Sequence, residues 1–357
     1  LKNNFSKKIS IGGIMGAFDF VKIFRVNKSI SIDLGTANIL IYDKQRKKIV
    51  LNEPSVVARD RKTGRLIAVG KEAREMLGKT PDSIQAIKPL QDGVIADIDS
   101  TKEMITYFIH KIYGNSLFKP EVMICVPIEV TSVERKALFD AVKGAKKTYI
   151  IEEGRAAIIG SGVDISQPEG SMVIDIGGGS TDIAILSLDE IIASKSIRIA
   201  GNRFDEDIVR YVKRKYNLLI GDRTAEKIKK ELGSALKVQS PEVMEIKGRD
   251  LETGIPNTVE VNANEIYEAI EDSLFQIVNS TKEVLEKCPP ELAADILDNG
   301  IVMTGGGSLI RNFIDMMEKE VGIKVFLSPN PLDSVVLGGG AAFDNKKLLR
   351  TLQMKEN

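Results

Sequence analysis

With 357 residues, 43% of them hydrophobic, the chain carries enough apolar side chain to bury two cores of ordinary domain size, which excludes a largely disordered polymer. Its 50 basic residues are balanced by 50 acidic ones, so no overall field draws it to nucleic acid and no nucleic-acid partner is expected. Its two cysteines, Cys125 in the apolar run "VMICVP" and Cys288 behind a helical pattern, suggest neither a disulfide framework nor a zinc site and point to a reducing compartment.

At the start, "LKNNFSKKISIGGIMGAFDFVKIFRVNKS" sets Ala17, Phe20, Val21 and Phe24 on one helical face and Asp19, Lys22 and Arg25 on another. That pattern fits a helix lying in a membrane interface and, equally, a helix docked over part of the core. No apolar run reaches the roughly 18 residues needed to span a bilayer, and no signal-peptide core precedes a small-residue cleavage site, so the chain is expected to be neither transmembrane nor secreted.

The next stretch, "SISIDLGTANILIY" at 29–42, alternates apolar and polar residues, reaches Asp33, turns at Gly35 and resumes its alternation after Thr36. It predicts a β-hairpin. The one histidine, His110, sits in the helix-like "MITYFIHKIYG" without cysteine or carboxylate partners in sequence and reads as structural or surface. Leu117 and Phe118 follow in the Gly/Asn/Ser-containing loop of "YGNSLFKPEVM", where two apolar residues by themselves suggest inward packing. The paired Glu152 and Glu153 of "IIEEGRAAIIGSG" open a helical segment, and their plainest reading is a favourable interaction with the helix dipole.

At 171–186, "SMVIDIGGGSTDIAIL" repeats the plan of the first hairpin: an apolar strand, Asp175, the glycines Gly177, Gly178 and Gly179, the hydroxyls Ser180 and Thr181 with Asp182, and a second apolar strand. Two such hairpins imply two related half-domains. Downstream, "TAEKIKKELG" predicts a helix with Thr224 as N-cap and Gly233 as stop, and its Glu226 and Lys229 share one face. A third glycine cluster, Gly305, Gly306 and Gly307 in "GIVMTGGGSLI", follows an apolar strand and precedes a helical pattern.

Glycine turns let the backbone approach a ligand closely and present successive N–H groups to an anion, so two of them suit the two sides of a polyphosphate. Asp33 and Asp175 close the first strand of each hairpin. A carboxylate beside phosphate is repulsive unless a hard cation intervenes, which predicts Mg²⁺ held through water. The Gly305–Gly307 turn suits the adenosine or phosphate part of a nucleotide at a helix N-terminus. Neither the dinucleotide fingerprint nor a Walker A lysine accompanies any of these turns.

Together "DLGTAN", "DIGGGSTD" and "TGGGSLI" resemble the phosphate-1, phosphate-2 and adenosine motifs of the actin, hexokinase and heat-shock chaperone superfamily. The further segments "NEPSVVA", "GKTPDSIQAIKPLQDGVIAD", "VPIEVTSVERKAL", "YNLLIGDRTAEKIKKELG" and "CPPELAADIL" resemble, in order and over nearly the whole chain from about Lys28, the MreB family of bacterial actins. The resemblance implies an actin-like α/β ATPase fold: two lobes of duplicated α/β domains around a nucleotide cleft that takes ATP and Mg²⁺. Its expected boundaries are an N-terminal extension at 1–26, a first lobe at 27–170 with an outer subdomain at about 58–90, a second lobe at 171–339 with an outer subdomain at about 207–270, and a segment at 340–357 that returns to the first lobe.

The same resemblance implies roles residue by residue. Gly35, Thr36, Ala37 and Asn38 fall in the first phosphate turn and Gly177, Gly178 and Gly179 in the second, with Asp33 and Asp175 on the hydrated cation. Glu153, with its neighbour Glu152 as the alternative, takes the position of the catalytic glutamate and Ser180 that of a water-positioning threonine, while Glu226 and Lys229 match a ribose- and adenine-contacting pair. Phe20, Val21 and Phe24, with the loop residues Leu117 and Phe118, become two shallow membrane anchors. Expected partners are further copies of the chain in filaments of paired protofilaments, a lipid surface, and other cytoskeletal or morphogenetic proteins. The expected location is the cytoplasm, at the inner face of the cell membrane.

Two departures from the family pattern bear on rate. Ser180 lacks the methyl group that restricts threonine rotamers, which implies looser water positioning and slow hydrolysis. Gly154 and Arg155 replace Pro-Met after Glu153, and Arg155 either pairs with Glu153 or points to solvent. The rival readings are a nucleotide-binding scaffold with little turnover and a sugar kinase-like enzyme of the same superfamily, although no substrate base is evident for the latter.

Overall fold

The computed structural model describes residues 28–114 and 119–353. Phe20, Val21, Phe24, Leu117 and Phe118, the residues expected to meet a membrane, lie outside them. No helix among the described residues is long and apolar enough to cross a membrane.

The first expected hairpin is present as β1 (Ser29–Leu34) and β2 (Asn38–Asp43), and β3 (Lys48–Pro54) extends it to an antiparallel meander. On β1 the side chains at Ile30, Ile32 and Leu34 join a core with Met104, Ile105 and Phe108 of the helix Ile98–Tyr113. The intervening Ser31 faces the other side of the sheet, where the helix Ser334–Ala342 comes so close that a Cβ on Gly339 would strike its hydroxyl. The chain then forms a small outer sheet of β4 (Val57–Asp60), β5 (Leu66–Val69) and β6 (Ile84–Ile87), with the helix Lys71–Met76 packed on it.

A short ribbon, β7 (Leu90–Gln91) and β8 (Val94–Ile95), turns at Asp92 and Gly93, both with positive φ, as an Asp-Gly hairpin turn requires. Two further strands, β9 (Glu121–Val126) and β10 (Lys147–Glu152), run parallel to β1 and complete the order β10-β9-β1-β2-β3.

The second half repeats this plan. The hairpin of β11 (Ser171–Ile176) and β12 (Thr181–Ser187) is extended by β13 (Glu190–Ile197). Its outer part holds β14 (Leu218–Leu219), β15 (Val243–Asp250) and β16 (Pro256–Asn262), flanked by the helices Gly201–Tyr216, Asp222–Leu232 and Ala263–Glu286. Then β17 (Ile301–Thr304) and β18 (Val325–Leu327) run parallel to β11 and give the order β13-β12-β11-β17-β18. The duplication read from two hairpins thus extends to two whole five-stranded sheets of one topology.

Two local readings are corrected. The helix Asp222–Leu232 begins two residues before Thr224 and is preceded by Gly221, so Thr224 is not its cap, although Gly233 does end it. The glycines at 305–307 lead into a 3₁₀ turn, Gly306–Leu309, and the α-helix starts only at Phe313.

Between the sheets the helices Glu153–Gly160 and Ser334–Ala342 cross backbone against backbone. A Cβ on Gly160 would overlap the carbonyl of Ser334, and one on Gly338 would overlap the carbonyl of Ala156. The expected boundary at 339 falls inside the second of these helices. Neither carbonyl is a flexible side-chain end, so the overlap is relieved only by moving a helix. Gly338→Ala is therefore expected to cost about 3 kcal/mol or more, read as a lowered thermal unfolding midpoint. The control Gly144→Ala, whose Cβ meets nothing within 4 Å, is expected to leave the midpoint where it is.

Candidate functional site

The β1–β2 turn of the first sheet and the β11–β12 turn of the second meet face to face. A Cβ on Gly178 would lie 2.9 Å from the Ala37 Cβ, so the two turns touch through residues with almost no side chain. The first turn is fastened by the Ser55 hydroxyl, which donates to the Gly35 carbonyl at 2.6 Å. The second is closed by the Gly177 amide donating to the Ser180 carbonyl at 2.9 Å. The helix Gly201–Tyr216 caps that turn, with the amides of Gly201 and Asn202 donating to the carbonyls of Gly177 and Gly178 at 3.1 and 2.7 Å.

Above both turns lies a cleft of about 520 Å³. Its walls include every cleft residue nominated from the sequence: Asp33, Gly35, Thr36, Ala37, Asn38, Glu153, Asp175, Gly177, Gly178, Gly179, Ser180, Glu226, Lys229, Gly305, Gly306 and Gly307. Residues that sequence reasoning missed also line it, among them Gly93, Pro127, Arg311, Leu309 and Leu332. Gly93 had a readable signal in the "DG" dipeptide. Its amide donates to the Thr36 hydroxyl at 3.1 Å, and a Cβ there would sit 2.8 Å from the Ser180 Oγ. The ribbon therefore spans both phosphate-turn candidates. The apolar side chains Leu309, Ile310 and Leu332 form the wall beside Gly305–Gly307, a surface suited to a flat heteroaromatic base.

The floor of the cleft is acidic. Asp175 and Glu153 are 5% and 9% exposed, and Asp182, outside the cleft lining but directly opposite Asp175 across β11 and β12, is 1% exposed. Burial, then the negative charge of Asp333, pushes Asp33 up to about 7. Burial, reinforced by Asp182 and Asp33, drives both Glu153 and Asp175 well above the usual carboxylate range. Burial also raises Asp182 to about 6 against the hydrogen bonds it accepts.

Such a set of hard oxygen donors is short of positive charge and fits a dication. Among the described residues no three His, Cys, Asp or Glu side chains converge closely enough to ligate a metal directly.

At the mouth of the cleft, Glu226 accepts from Arg74 of the first sheet's outer part at 2.6 Å and from Lys230 at 2.7 Å. Burial alone would raise its pKa, but these cations hold Glu226 below the usual value. Lys229 donates to the Gly201 carbonyl at 2.7 Å and to Asp205 at 2.9 Å. The two residues share a helix face, as expected, yet hold different partners. Arg155 takes neither of its two expected courses. It is buried, donates to the Asp189 carbonyl at 2.8 Å and pairs with Glu152 at 3.2 Å, leaving Glu153 without it.

Two α/β halves of one topology, joined through facing glycine turns beneath a shared cleft, define an actin-like fold. A family profile described as MreB/Mbl protein matches residues 27–351. The cell shape-determining protein Mbl of Bacillus subtilis (strain 168) is 49% identical over 321 residues, 89% of this chain and 96% of that protein. The cell shape-determining protein MreB of Escherichia coli (strain K12) is 47% identical over 326 residues, 89% of this chain and 94% of the other. Crystal structures of MreB5 of Spiroplasma citri, bound to ADP and to AMPPNP, each superpose with a TM-score of 0.85 at 39% identity, covering 90% of this chain and 98% of theirs. A MamK double helical filament shares the fold at a TM-score of 0.76 and 22% identity, over 89% of this chain and 99% of its own. The chain belongs to the MreB/Mbl family of actin-like cytoskeletal proteins.

The acidic floor sets a pH dependence. In the folded protein without metal or nucleotide, Asp33 and Asp182 titrate at about 7 and about 6, against about 4 in an unfolded chain. Between those values the folded state binds more protons at these two groups than the unfolded one, so the stability they contribute is fully present below about 4 and is lost as pH rises through about 7. The unfolding midpoint of the metal-free protein is expected to drop between about pH 5.5 and about pH 8. Added Mg²⁺ and ATP should raise it more at the higher pH, and a midpoint that climbs with pH in the metal-free protein would contradict this.

Proposed function

We propose that the chain binds Mg²⁺·ATP in this cleft, hydrolyses it slowly and assembles into filaments that lie on the inner face of the cell membrane as a scaffold for cell shape or motility. The observation that carries the reading is the meeting of two duplicated glycine turns and a buried carboxylate floor at one cavity of nucleotide size. The nucleotide named for the Spiroplasma citri structures and the filament named for MamK belong to those proteins and support the reading for this one.

In this reading the amides of the Gly35–Asn38 and Gly177–Gly179 turns cradle the phosphates. Asp33 and Asp175 would hold the hydrated Mg²⁺, which when bound neutralises phosphate charge. Glu153 and Ser180 orient the attacking water. Gly305, Gly306 and Gly307 carry the adenosine side, and Glu226 and Lys229 reach the ribose and base after giving up their present partners. Arg155 is engaged elsewhere, so it does not quench Glu153, and this favours turnover over an inert scaffold.

Phosphate release measured beside pelleting in ATP tests the reading. Both are expected in the native sequence. Glu153→Gln should lower release about a hundredfold while keeping fluorescent ATP binding and pelleting. Release without pelleting would point to a monomeric enzyme such as a kinase, and pelleting without release to a static scaffold.

The membrane part rests on Phe20, Val21, Phe24, Leu117 and Phe118. Co-sedimentation with anionic liposomes is expected for the full chain. It should weaken when 1–26 are removed or Leu117 and Phe118 are made polar, and failure of the full chain to bind would end the membrane proposal.

A further inference from the structure

Arg311 lines the cleft just beyond the third glycine turn, and none of the roles above uses it. Its guanidinium reaches from there to the end of the helix Asp222–Leu232. Nε donates to the Gly233 carbonyl at 3.2 Å, and one terminal nitrogen donates to the Leu232 carbonyl at 3.0 Å. The other terminal nitrogen donates to both carboxylate oxygens of Glu242, each at 2.7 Å. The backbones are fastened as well: the Ala235 amide donates to the Arg311 carbonyl at 2.7 Å, and the Asn312 side-chain amide donates to the Ser234 hydroxyl at 2.9 Å. A Cβ on Gly233 would lie 3.1 Å from the Ile310 Cδ1, so the two segments are already in close contact.

The last carbonyls of a helix lack partners inside it and carry the negative end of its dipole, so a cation that caps them fixes where the helix end lies. A guanidinium does this in two directions while it pairs with a carboxylate in a third, a spread that an ammonium does not cover. The capped helix carries Glu226 and Lys229 on the cleft wall, and the segment that supplies the cap carries Gly305, Gly306 and Gly307. Arg311 thus ties together two cleft walls that are far apart in sequence. We propose that Arg311 is a positioning residue for the nucleoside: it holds the end of the helix Asp222–Leu232 against the third glycine segment and so sets the spacing at which Glu226 and Lys229 meet ribose and base. This rests on the reading that those two residues contact the nucleoside. The consequence is a preference for a nucleoside triphosphate over triphosphate alone. The phosphate turns are fastened separately, by Ser55 at Gly35 and by the amides of Gly201 and Asn202 at Gly177 and Gly178.

The test compares ATP with inorganic tripolyphosphate, each with Mg²⁺, by calorimetric titration of the full chain carrying Arg311→Met, which keeps an apolar stem and removes every donor. Both constants come from molecules whose phosphate site is competent, so a partial folding defect does not alter their ratio. The parent is expected to bind ATP the more tightly. In Arg311→Met, ATP should bind about tenfold more weakly, with tripolyphosphate within about twofold of the parent. Single-turnover hydrolysis of bound ATP should also stay within about twofold, a change in binding and not in chemistry. Arg311→Lys restores the charge and one direction of donation, and should recover part of the lost preference.

Equal weakening of both ligands, or an unchanged ratio, would make Arg311 a purely structural residue and overturn the proposal, as would slowed hydrolysis at undiminished ATP affinity. Should Arg311→Met not fold, Arg311→Lys decides: a lowered preference for ATP supports the proposal and a parental one overturns it. If Glu226→Ala leaves the preference intact, the reading of Glu226 fails and the role of Arg311 falls with it. A preference lost in Glu226→Ala but kept in Arg311→Met overturns the role of Arg311 alone.

Discussion

The crossing of the helices Glu153–Gly160 and Ser334–Ala342 sets how near the two sheets approach, and the cleft is the space which that approach leaves open. Gly160 and Gly338 admit no Cβ because each faces a backbone carbonyl of the opposite helix. The same pair of helices reaches both functional edges. Glu153 begins the first, at the end of β10, and the second lies against β1, where Gly339 touches Ser31 and Cys125. Interiors packed at crystal-like density transmit displacement instead of absorbing it. A rotation at this crossing therefore moves the first carboxylate and the first phosphate turn together.

What the crossing brings together is electrostatically incomplete. Glu153, Asp175 and Asp182 are buried, and each of the first two is raised partly by the charge of its neighbours. Carboxylates in that situation either hold protons or hold a cation. The glycine turns supply N–H donors for an anion a short way above, so one ligand that carries both a dication and phosphate satisfies both walls. The floor is therefore least stable at the pH where its carboxylates are ionised.

The sheets and turns were legible in the sequence because hairpins are local: the acid, the glycine turn and the alternating strand occur within 14 residues at 29–42 and recur at 171–186. The cleft residues on those turns follow from the same pattern. What could not be read were contacts between distant segments. Gly93 looks like an ordinary Asp-Gly turn until β7 and β8 set it against Thr36 and Ser180. Thr224 looks like a cap because hydroxyls favour that place, yet the helix starts at Asp222, where an acid suits the first turn. The helical pattern after Gly307 was read too early because a 3₁₀ turn has no separate periodicity over four residues.

Arg155 shows how a departure from a family pattern can be resolved by its surroundings. At Gly154 a Cβ would come within 3.1 Å of the Ala184 Cβ and 3.3 Å of the Ile128 Cδ1, so this end of the helix sits tightly on the second sheet. The next residue then leaves that contact and reaches the Asp189 carbonyl, in the turn between β12 and β13. The buried guanidinium is balanced by Glu152, and the two glutamates divide their work: one neutralises an arginine that ties the helix to the second sheet, and the other is left to face the cleft. The charge that threatened the catalytic candidate is thereby spent on its neighbour, and Glu153 owes its raised pKa to burial and to the nearby acids Asp182, Asp33 and Asp175.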